Sequence, residues 1–165
     1  AFLASEKFTR VVVLEEGRTG FYRIQSVFAW IRMWGGSVSF AYAAQGFVTV
    51  LCGLSLFRIW RSEASQDVKS ATLCIAALLA TPYSLDYDLM ALAPAIALLA
   101  TDGSTRGFRP YQRTAVAALW LTPFLARALP ALALIPIAVP VMIAALALTL
   151  RYAATESAGA RHAKA

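Results

Sequence analysis

The chain has 165 residues, a net charge of +6 at pH 7, 59% hydrophobic residues and only 15% charged residues. This composition is anomalous for a soluble globular domain and indicates an integral membrane protein. Cys52 and Cys74 lie in apolar runs, and the only histidine, His162, lies in a polar tail, which excludes a His/Cys metal cluster. We expect no metal, no cofactor and no nucleic-acid partner.

The chain begins Ala-Phe-Leu-Ala-Ser, without a methionine and without the pattern of a signal peptide. We therefore expect the C-terminal part of a longer protein, divided into three segments. Residues 1–36 form an outward-facing segment, residues 37–150 a transmembrane region and residues 151–165 a cytoplasmic tail. The tail is alanine-rich, polar and weakly basic, which predicts that it is disordered or loosely bound to the inner leaflet.

An apolar stripe at three- and four-residue steps runs through residues 22–36 and predicts an amphipathic helix. The stripe consists of Ile24, Val27, Phe28, Ile31 and Trp34. Gly35-Gly36 predicts the helix C-terminus, and the tryptophans favour a position in the membrane interface. This helix is either a structural lid or a phosphate-binding element that uses Arg23 or Arg32, because guanidinium groups suit phosphate geometry.

Two long apolar runs predict membrane crossings. Ser37 to Trp60 is the clearest span, because its 24 residues carry a single charge, Arg58, near one end. Thr114 to Leu150 would be about 55 Å long as one helix, which is too long for one crossing. Its arginine and prolines predict a break near residues 127–130.

The apolar run between Ala71 and Ala100 is interrupted by the polar turn Thr81-Pro82-Tyr83-Ser84-Leu85-Asp86-Tyr87-Asp88. The legs on either side, Ser70 to Pro82 and Leu89 to Ala100, have 13 and 12 residues, whereas a bilayer core needs about 20 helical residues. Carboxylates near membrane depth are costly and therefore indicate a functional site. The simpler interpretation is that Ser84 or Asp86 caps a helix and that Asp88 lies in its first turn.

The aromatic residues of this turn favour a sugar ligand. Tyr83 and Tyr87 flank the acids, and a sugar presents hydroxyls to carboxylates and apolar ring faces to aromatic side chains. Asp86 and Asp88 are two residues apart and point in different directions on a helix, which favours binding over paired acid–base catalysis.

The cations are distributed unevenly if residues 70–100 and 114–150 each form a hairpin. One side then receives Arg58, Arg61, Lys69, Arg106, Arg109, Arg113, Arg151, Arg161 and Lys164, and the other side, after residue 36, receives Arg127. By the positive-inside rule, the first side is cytoplasmic and the acidic turn faces outward. The predicted fold class is an all-α polytopic membrane bundle of about five transmembrane helices, some short or broken, with an interfacial amphipathic helix on the outer face.

Three segments occur in order along nearly all of the chain. They are Gln25-Ser26-Val27-Phe28 leading through Arg32 to Gly35-Gly36, the acidic turn within residues 80–89, and the apolar, proline-punctuated C-terminal end. Together they resemble the C-terminal half of the polyprenyl-phosphate-sugar-dependent glycosyltransferases of glycosyltransferase family 87, the alpha-mannosyltransferase group of the GT-C superfamily. Ile24 stands where the family has an asparagine, and Tyr87-Asp88 stands where many relatives have a histidine pair.

The resemblance implies a membrane-embedded hexosyltransferase of the bacterial cytoplasmic membrane. Such an enzyme moves a hexose, here expected to be mannose, with inversion from a polyprenyl-phosphate donor to a lipid or glycan acceptor on the outer face. The implied substrate-binding residues are Gln25, Ser26, Arg32, Asp86, Tyr87 and Asp88. The catalytic carboxylate of such enzymes lies in the first outward loop, which would precede Ala1, so we expect this chain to lack the catalytic base.

Two other classes of protein fit parts of this pattern. A secondary transporter also uses broken helices and acids near the bilayer centre, but it places them in paired repeats, and the acidic turn occurs once in the sequence. A non-catalytic membrane assembly subunit would need neither Arg32 nor the acidic turn.

Overall fold

The computed structural model describes residues 20–162, with side chains up to residue 157, and this part of the chain is helical apart from short connections. The seven α-helices are α1 (Val27–Met33), α2 (Val38–Trp60), α3 (Gln66–Ala80), α4 (Leu92–Arg106), α5 (Gln112–Leu125), α6 (Ala128–Ala133) and α7 (Ala138–His162). Two short 3-10 helices cover Phe21–Arg23 and Asp86–Ala91. Residues 20–162 contain no β-strand, so the all-α prediction is confirmed within this range.

Local sequence signals account for several helix boundaries. The Ser37 hydroxyl accepts a hydrogen bond from the backbone N–H of Phe40 (3.2 Å) and caps α2, as serine does at many helix N-termini. Gly35 follows α1 with a φ of +80°, a left-handed conformation that glycine adopts without a steric penalty. The predicted break in the last apolar run is confirmed, because α5 ends at Leu125 and α6 begins at Ala128.

Helix α3 lies at the centre of the bundle and packs against α2, α4 and α7. It buries seven side chains, among them Ile75 and Leu79, in a core shared with its neighbours. Neighbouring helices are joined by short connections, so they run back and forth between two ends of the bundle. We call these ends the basic end (Ser65, Asp102, Arg109, Gln112 and Glu156) and the turn end (Gln25, Ser84, Asp86, Ala126 and Ala138).

The basic end shows that α3 and α4 form a hairpin. Ser65, at the start of α3, donates a hydrogen bond from its hydroxyl to the carboxylate of Asp102 near the end of α4 (2.6 Å). Gln112, at the start of α5, donates to the same carboxylate (3.1 Å). The start of α3, the end of α4 and the start of α5 therefore meet, as the hairpin interpretation of residues 70–100 predicts.

Asp102 is fully buried in this cluster, two residues past the apolar run that ends at Ala100. Burial raises the pKa of its carboxyl, but hydrogen bonds from Ser65, Arg109 and Gln112, together with the charge of Arg109, outweigh burial and hold the pKa below its ordinary value. The ionised carboxylate therefore stabilises the fold at neutral pH. This contribution is lost only as the pH falls through the lowered pKa.

The prediction of a disordered tail is wrong for residues 151–162, because α7 continues without interruption to His162. Glu156 forms an ion pair with Arg109, and the Tyr152 hydroxyl donates to the backbone carbonyl of Pro110 (3.0 Å). The alanine-rich composition that suggested disorder also suits a helix. The contacts with the α4–α5 connection hold that helix on the bundle.

Two helices are long and apolar enough to cross a membrane, residues 38–60 of α2 and residues 138–157 of α7. Only 17% of the most apolar 18-residue stretch of α2 is buried inside the protein, whereas the core helix of a soluble protein is mostly buried. This uncovered apolar surface favours membrane association. Helices α3 and α4, with 15 residues each, are about 22 Å long, shorter than the about 30 Å of a hydrocarbon core, and five crossings remain a prediction.

The predicted amphipathic helix is shorter than residues 22–36. Its helical part, α1, has seven residues, and Ile24 of the predicted stripe precedes it in an extended conformation. Phe28 is fully buried, and its ring lies 4.7 Å from the ring of Tyr42 in α2. Ile24 and Phe28 of the apolar stripe therefore pack on the bundle, as the lid interpretation requires, whereas Trp34 at its end is 65% exposed.

The basic end predicts different effects for two arginines that contact the same carboxylate. The side chain of Arg109 is 16% exposed and bonds Asp102 and Glu156, whereas that of Arg106 is 58% exposed and lies 3.7 Å from Asp102. Arg109→Gln should lower the free energy of unfolding by about 3 kcal/mol, because it leaves buried carboxylate charge uncompensated. The matched Arg106→Gln should cost less than about 1 kcal/mol.

Denaturant unfolding of the purified protein in detergent micelles measures both values. Equal losses for the two variants would contradict the assignment of Arg109 as the main partner of Asp102.

Candidate functional site

The two segments that carry the most distinctive motifs of the sequence lie side by side at the turn end. Ile24 and Leu85 form an isolated antiparallel β-bridge, and the backbone N–H of Gln25 donates to the backbone carbonyl of Ser84 (2.7 Å). This contact joins positions about 60 residues apart in the sequence. The predicted neighbourhood of Gln25 and the acidic turn is therefore present.

Gln25 is fully buried, and its side-chain amide is occupied by backbone groups. Its Nε2 donates to the carbonyl of Ala126 (2.6 Å), just after α5, and its Oε1 accepts from the N–H of Ala138 (3.4 Å), the first residue of α7. A buried amide whose donor and acceptor are both used stabilises a particular arrangement of the chain. Gln25 thus holds the ends of α5 and α7 together.

Ser26 is also buried, and its hydroxyl caps α1 by accepting from the N–H of Ala29 (3.1 Å). Gln25 and Ser26 therefore lie inside the turn end and stabilise its structure through hydrogen bonds. Contact between either residue and a ligand stays a prediction.

The acidic turn contains one carboxylate that bonds the start of a short helix and another that lies beside an arginine. Asp88 accepts a hydrogen bond from the N–H of Leu85 (2.9 Å), so it caps the 3-10 helix that begins at Asp86. The carboxylate of Asp86 accepts from the N–H of Tyr87 (3.1 Å) and lies 3.9 Å from the guanidinium of Arg127. The N-cap position of this helix is Leu85, so the prediction that Ser84 or Asp86 caps it is wrong, whereas Asp88 lies in the first turn as predicted. A binding role for the turn stays a prediction.

The surface around Asp86 is open and aromatic. The side chain of Arg127 is 65% exposed, Tyr87 is 64% exposed, and Tyr83 is about half exposed. A partly buried carboxylate, an exposed guanidinium group and two exposed phenol rings therefore belong to the acidic turn or adjoin it. Such a surface can hydrogen-bond hydroxyl groups, attract an anion and stack on an apolar ring.

Arg32 lies on α1, away from this carboxylate. Its Nη1 donates to the backbone carbonyl of Gly36 (2.8 Å), and its guanidinium lies 5.3 Å from the ring centre of Phe21. Within residues 20–157 no ion pair joins Arg32 to Asp86 or Asp88. The structure therefore brings Gln25, Ser26 and the acidic turn together and places Arg32 on a neighbouring part of the turn end.

Sequence reasoning missed three residues that shape the two ends. Arg127 was assigned only to the break between helices, although it is the one arginine inside the last apolar run. Gln45 is buried inside α2, where it accepts from the N–H of Phe28 (3.1 Å) and donates to the carbonyl of Leu79 (3.0 Å). Asp102 is the third. A polar residue isolated in an apolar stretch was the available signal for Arg127 and Gln45, whereas Asp102 lies in a polar segment that gives no such signal.

Chemically, the described residues support binding more directly than catalysis. No group of histidine, cysteine, aspartate and glutamate residues in the described part of the chain could hold a metal ion. No known protein family, curated protein or solved structure matches this chain. The family resemblance thus stays a prediction that rests on the sequence motifs.

The hydrogen bonds of Gln25 predict a structural effect of its replacement. Gln25→Ala should lower the free energy of unfolding by about 2 kcal/mol, because it leaves the Ala126 carbonyl and the Ala138 N–H without their partner. Gln66→Ala, at an exposed position in the first turn of α3, is the matched control and should change stability by less than about 0.5 kcal/mol.

Thermal and denaturant unfolding in micelles compare the two variants. A stable Gln25→Ala protein would contradict the structural role and would leave ligand contact as the better explanation of this residue.

Proposed function

We propose that this chain is the C-terminal membrane portion of a glycosyltransferase that moves a hexose, mannose in the simplest case, from a polyprenyl-phosphate donor to a lipid or glycan acceptor. The transfer takes place on the outer face of a bacterial cytoplasmic membrane, at the turn end of the bundle. The single observation that carries the proposal is the bridge between Ile24 and Leu85. It joins the two segments on which the family resemblance rests, next to the partly buried carboxylate of Asp86 and the exposed guanidinium group of Arg127.

The exposed residues of the turn end suit the parts of such a donor. Asp86 can accept hydrogen bonds from sugar hydroxyls, and the ring of Tyr87 can cover an apolar face of the sugar. Arg127, whose side chain is 65% exposed, is the cation that we assign to the donor phosphate, and Arg32 lies on a neighbouring part of the turn end. Asp88 supports the turn through its bond to Leu85 and has a second carboxylate oxygen available for the sugar.

The reaction is an inverting displacement. An acceptor hydroxyl oxygen forms a bond to the anomeric carbon while the bond from that carbon to the phosphate oxygen breaks. The hydroxyl proton passes to a carboxylate in the part of the protein that precedes Ala1, and polyprenyl phosphate leaves with the bonding electrons. Arg127 stabilises the negative charge that grows on the leaving phosphate, which is the usual task of a cation in such a site.

The membrane arrangement follows from the two ends of the bundle. Arg58, Arg106, Arg113 and Arg151 belong to the basic end or its neighbouring connections, which we place in the cytoplasm. The turn end then faces outward, and about five helices cross, including the short α3 and α4. Because α3 and α4 are only about 22 Å long, the acidic turn between them lies below the level of a full-length span. This recess brings the turn to the depth of a lipid phosphate.

Replacing each carboxylate of the turn distinguishes a role in ligand binding from a role in helix capping. Asp86→Asn in the full-length protein should lower kcat/KM for the lipid-linked donor at least about tenfold, since a hydrogen bond from a hydroxyl to a charged group is worth about 1.5–3 kcal/mol. Asp88→Asn should leave the stability nearly unchanged, because asparagine caps a helix about as well as aspartate.

Transfer of radiolabelled hexose from the purified donor measures both variants, and Arg61→Gln at the exposed far end of α2 is the control for a general charge effect. Full activity of Asp86→Asn would overturn the assigned binding role. A loss of transfer in a stable Asp88→Asn protein would show that Asp88 also contacts the sugar.

The topology predicts opposite accessibility of the two ends. In a variant with Cys52 and Cys74 replaced by alanine, a cysteine at the exposed Tyr83 should react with a membrane-impermeant maleimide added outside intact cells. A cysteine at the exposed Ser104, at the basic end, should react only after the cells are opened. External labelling at both positions would rule out the hairpin topology.

A further inference from the structure

An apolar groove runs along the outside of the bundle between α5 and α7. It has a volume of about 460 Å³, and its floor is made mostly of small side chains. Ala115 and Ala118 of α5 face Ala144 and Ala145 of α7 across this groove. Because alanine side chains are short, the two helices leave room for a narrow apolar ligand between their larger flanking residues.

One end of the groove opens onto a basic rim. Tyr111 lines the apolar groove and also two smaller cavities beside it, one containing Arg113 and the other Arg151. The three cavities therefore adjoin one another at Tyr111. Arg113 and Arg151 are both exposed, and neither forms an ion pair with a carboxylate in the part of the chain whose side chains are described.

Arg109 differs from these two arginines, although it lies nearby. Its guanidinium is already held by Asp102 and Glu156. Arg113 contacts only an aromatic ring, with its guanidinium 4.5 Å from the ring centre of Phe108, an arrangement that leaves its N–H donors available. The rim therefore carries positive charge that the described residues do not neutralise.

We propose that this groove and its rim bind one anionic glycerophospholipid of the cytoplasmic leaflet. The phosphate lies at Arg113 and Arg151, and one acyl chain lies in the groove along Ala118 and Ala144. The site is at the opposite end of the bundle from the proposed donor site, and the two proposals do not depend on each other.

The dimensions of the groove agree with an acyl chain. Its lining residues run from Ile137, just before α7, to Leu148, which corresponds to about 16 Å along a helix. This is about half of the 30 Å thickness of a hydrocarbon core, the depth that a chain reaches when its headgroup lies at the membrane surface. Arg151 is three residues beyond Leu148, at the level where that headgroup would lie.

The charge of the rim favours a lipid over a protein segment as the occupant. An apolar helix of a second copy or of the preceding chain would fill the groove but would leave both arginines without a partner. An anionic lipid fills the groove with an acyl chain. It also pairs with the arginines, because its phosphate accepts charge-assisted hydrogen bonds. The cytoplasmic leaflet also carries the anionic lipids that attract basic residues beside a membrane span.

Native mass spectrometry of the full-length protein tests this proposal. The protein is mixed in detergent micelles with equal amounts of phosphatidylglycerol and phosphatidylcholine that carry the same acyl chains. The wild-type protein should retain one phosphatidylglycerol with about a tenfold or greater preference over phosphatidylcholine, the ratio expected for a gain of about 1.4 kcal/mol. Arg113→Gln/Arg151→Gln should abolish the preference, and Ala144→Phe, which fills the groove, should reduce retention of both lipids.

Two matched controls separate the groove from the rest of the surface. Arg61→Gln removes an exposed arginine near the same end of the bundle, and Ala147→Phe adds a ring to an exposed position on α7 outside the groove. Both should retain phosphatidylglycerol as the wild type does. The arginine variants change only exposed side chains, so they keep the test valid if Ala144→Phe fails to fold.

Three outcomes would overturn the proposal. The first is a wild-type protein without preference for phosphatidylglycerol, and the second is an equal loss of preference in Arg61→Gln, which would indicate a diffuse effect of charge. The third is a folded Ala144→Phe protein that retains the lipid normally. If this variant also changed the mass of the oligomer or the melting temperature, the groove would be covered by a second copy or by the preceding part of the chain.

Discussion

The carboxylate of Asp102 fixes one end of the bundle, and the arrangement of the helices depends on that end. It is fully buried, and a buried charge is tolerated only when it is paired and hydrogen-bonded. Ser65, Arg109 and Gln112 meet that requirement from the start of α3, the α4–α5 connection and the start of α5. Since Arg109 also binds Glu156 of α7, satisfying this one charge fixes the relative positions of four helices. The opposite end can then bring together segments that are distant in the sequence.

At the turn end, the neutral side-chain amide of Gln25 has the role that Asp102 has at the basic end. Gln25 links the end of α5 to the start of α7 and, through its backbone, the acidic turn. An amide has both a donor and an acceptor and no charge to neutralise, so it can be buried among backbone groups without a counterion. The charged residues of this end, Asp86 and Arg127, remain near the surface. A rigid buried frame that supports a charged pair at its edge is the arrangement that a binding site for a polar ligand requires.

The two ends also differ in the lipids that they suit. The turn end offers one carboxylate, cations and exposed tyrosines, which favours a ligand with both hydroxyl groups and a phosphate. The basic end offers unpaired arginines above an apolar groove, which favours an anionic lipid with no sugar. Helices α3 and α4 are shorter than a full span, so with the basic end at the cytoplasmic surface the acidic turn between them lies below the outer surface.

Much of the helical architecture was determined by the sequence alone. The composition predicted a membrane protein, the serine at position 37 and the glycines at 35–36 predicted helix limits, and the interruption near residues 127–130 predicted the break before α6. These features depend on residues close together in the chain, where propensity, capping and apolar length act locally. The extent of α7 was mispredicted, because its last turns depend on the ion pair between Glu156 and Arg109. Only the tertiary structure decided that Gln25 is buried, that Asp88 caps while Asp86 meets Arg127, and that Asp102 joins the helix ends. Each of these outcomes depends on partners from distant parts of the chain, and a sequence pattern does not specify which polar groups will meet when apolar surfaces pack.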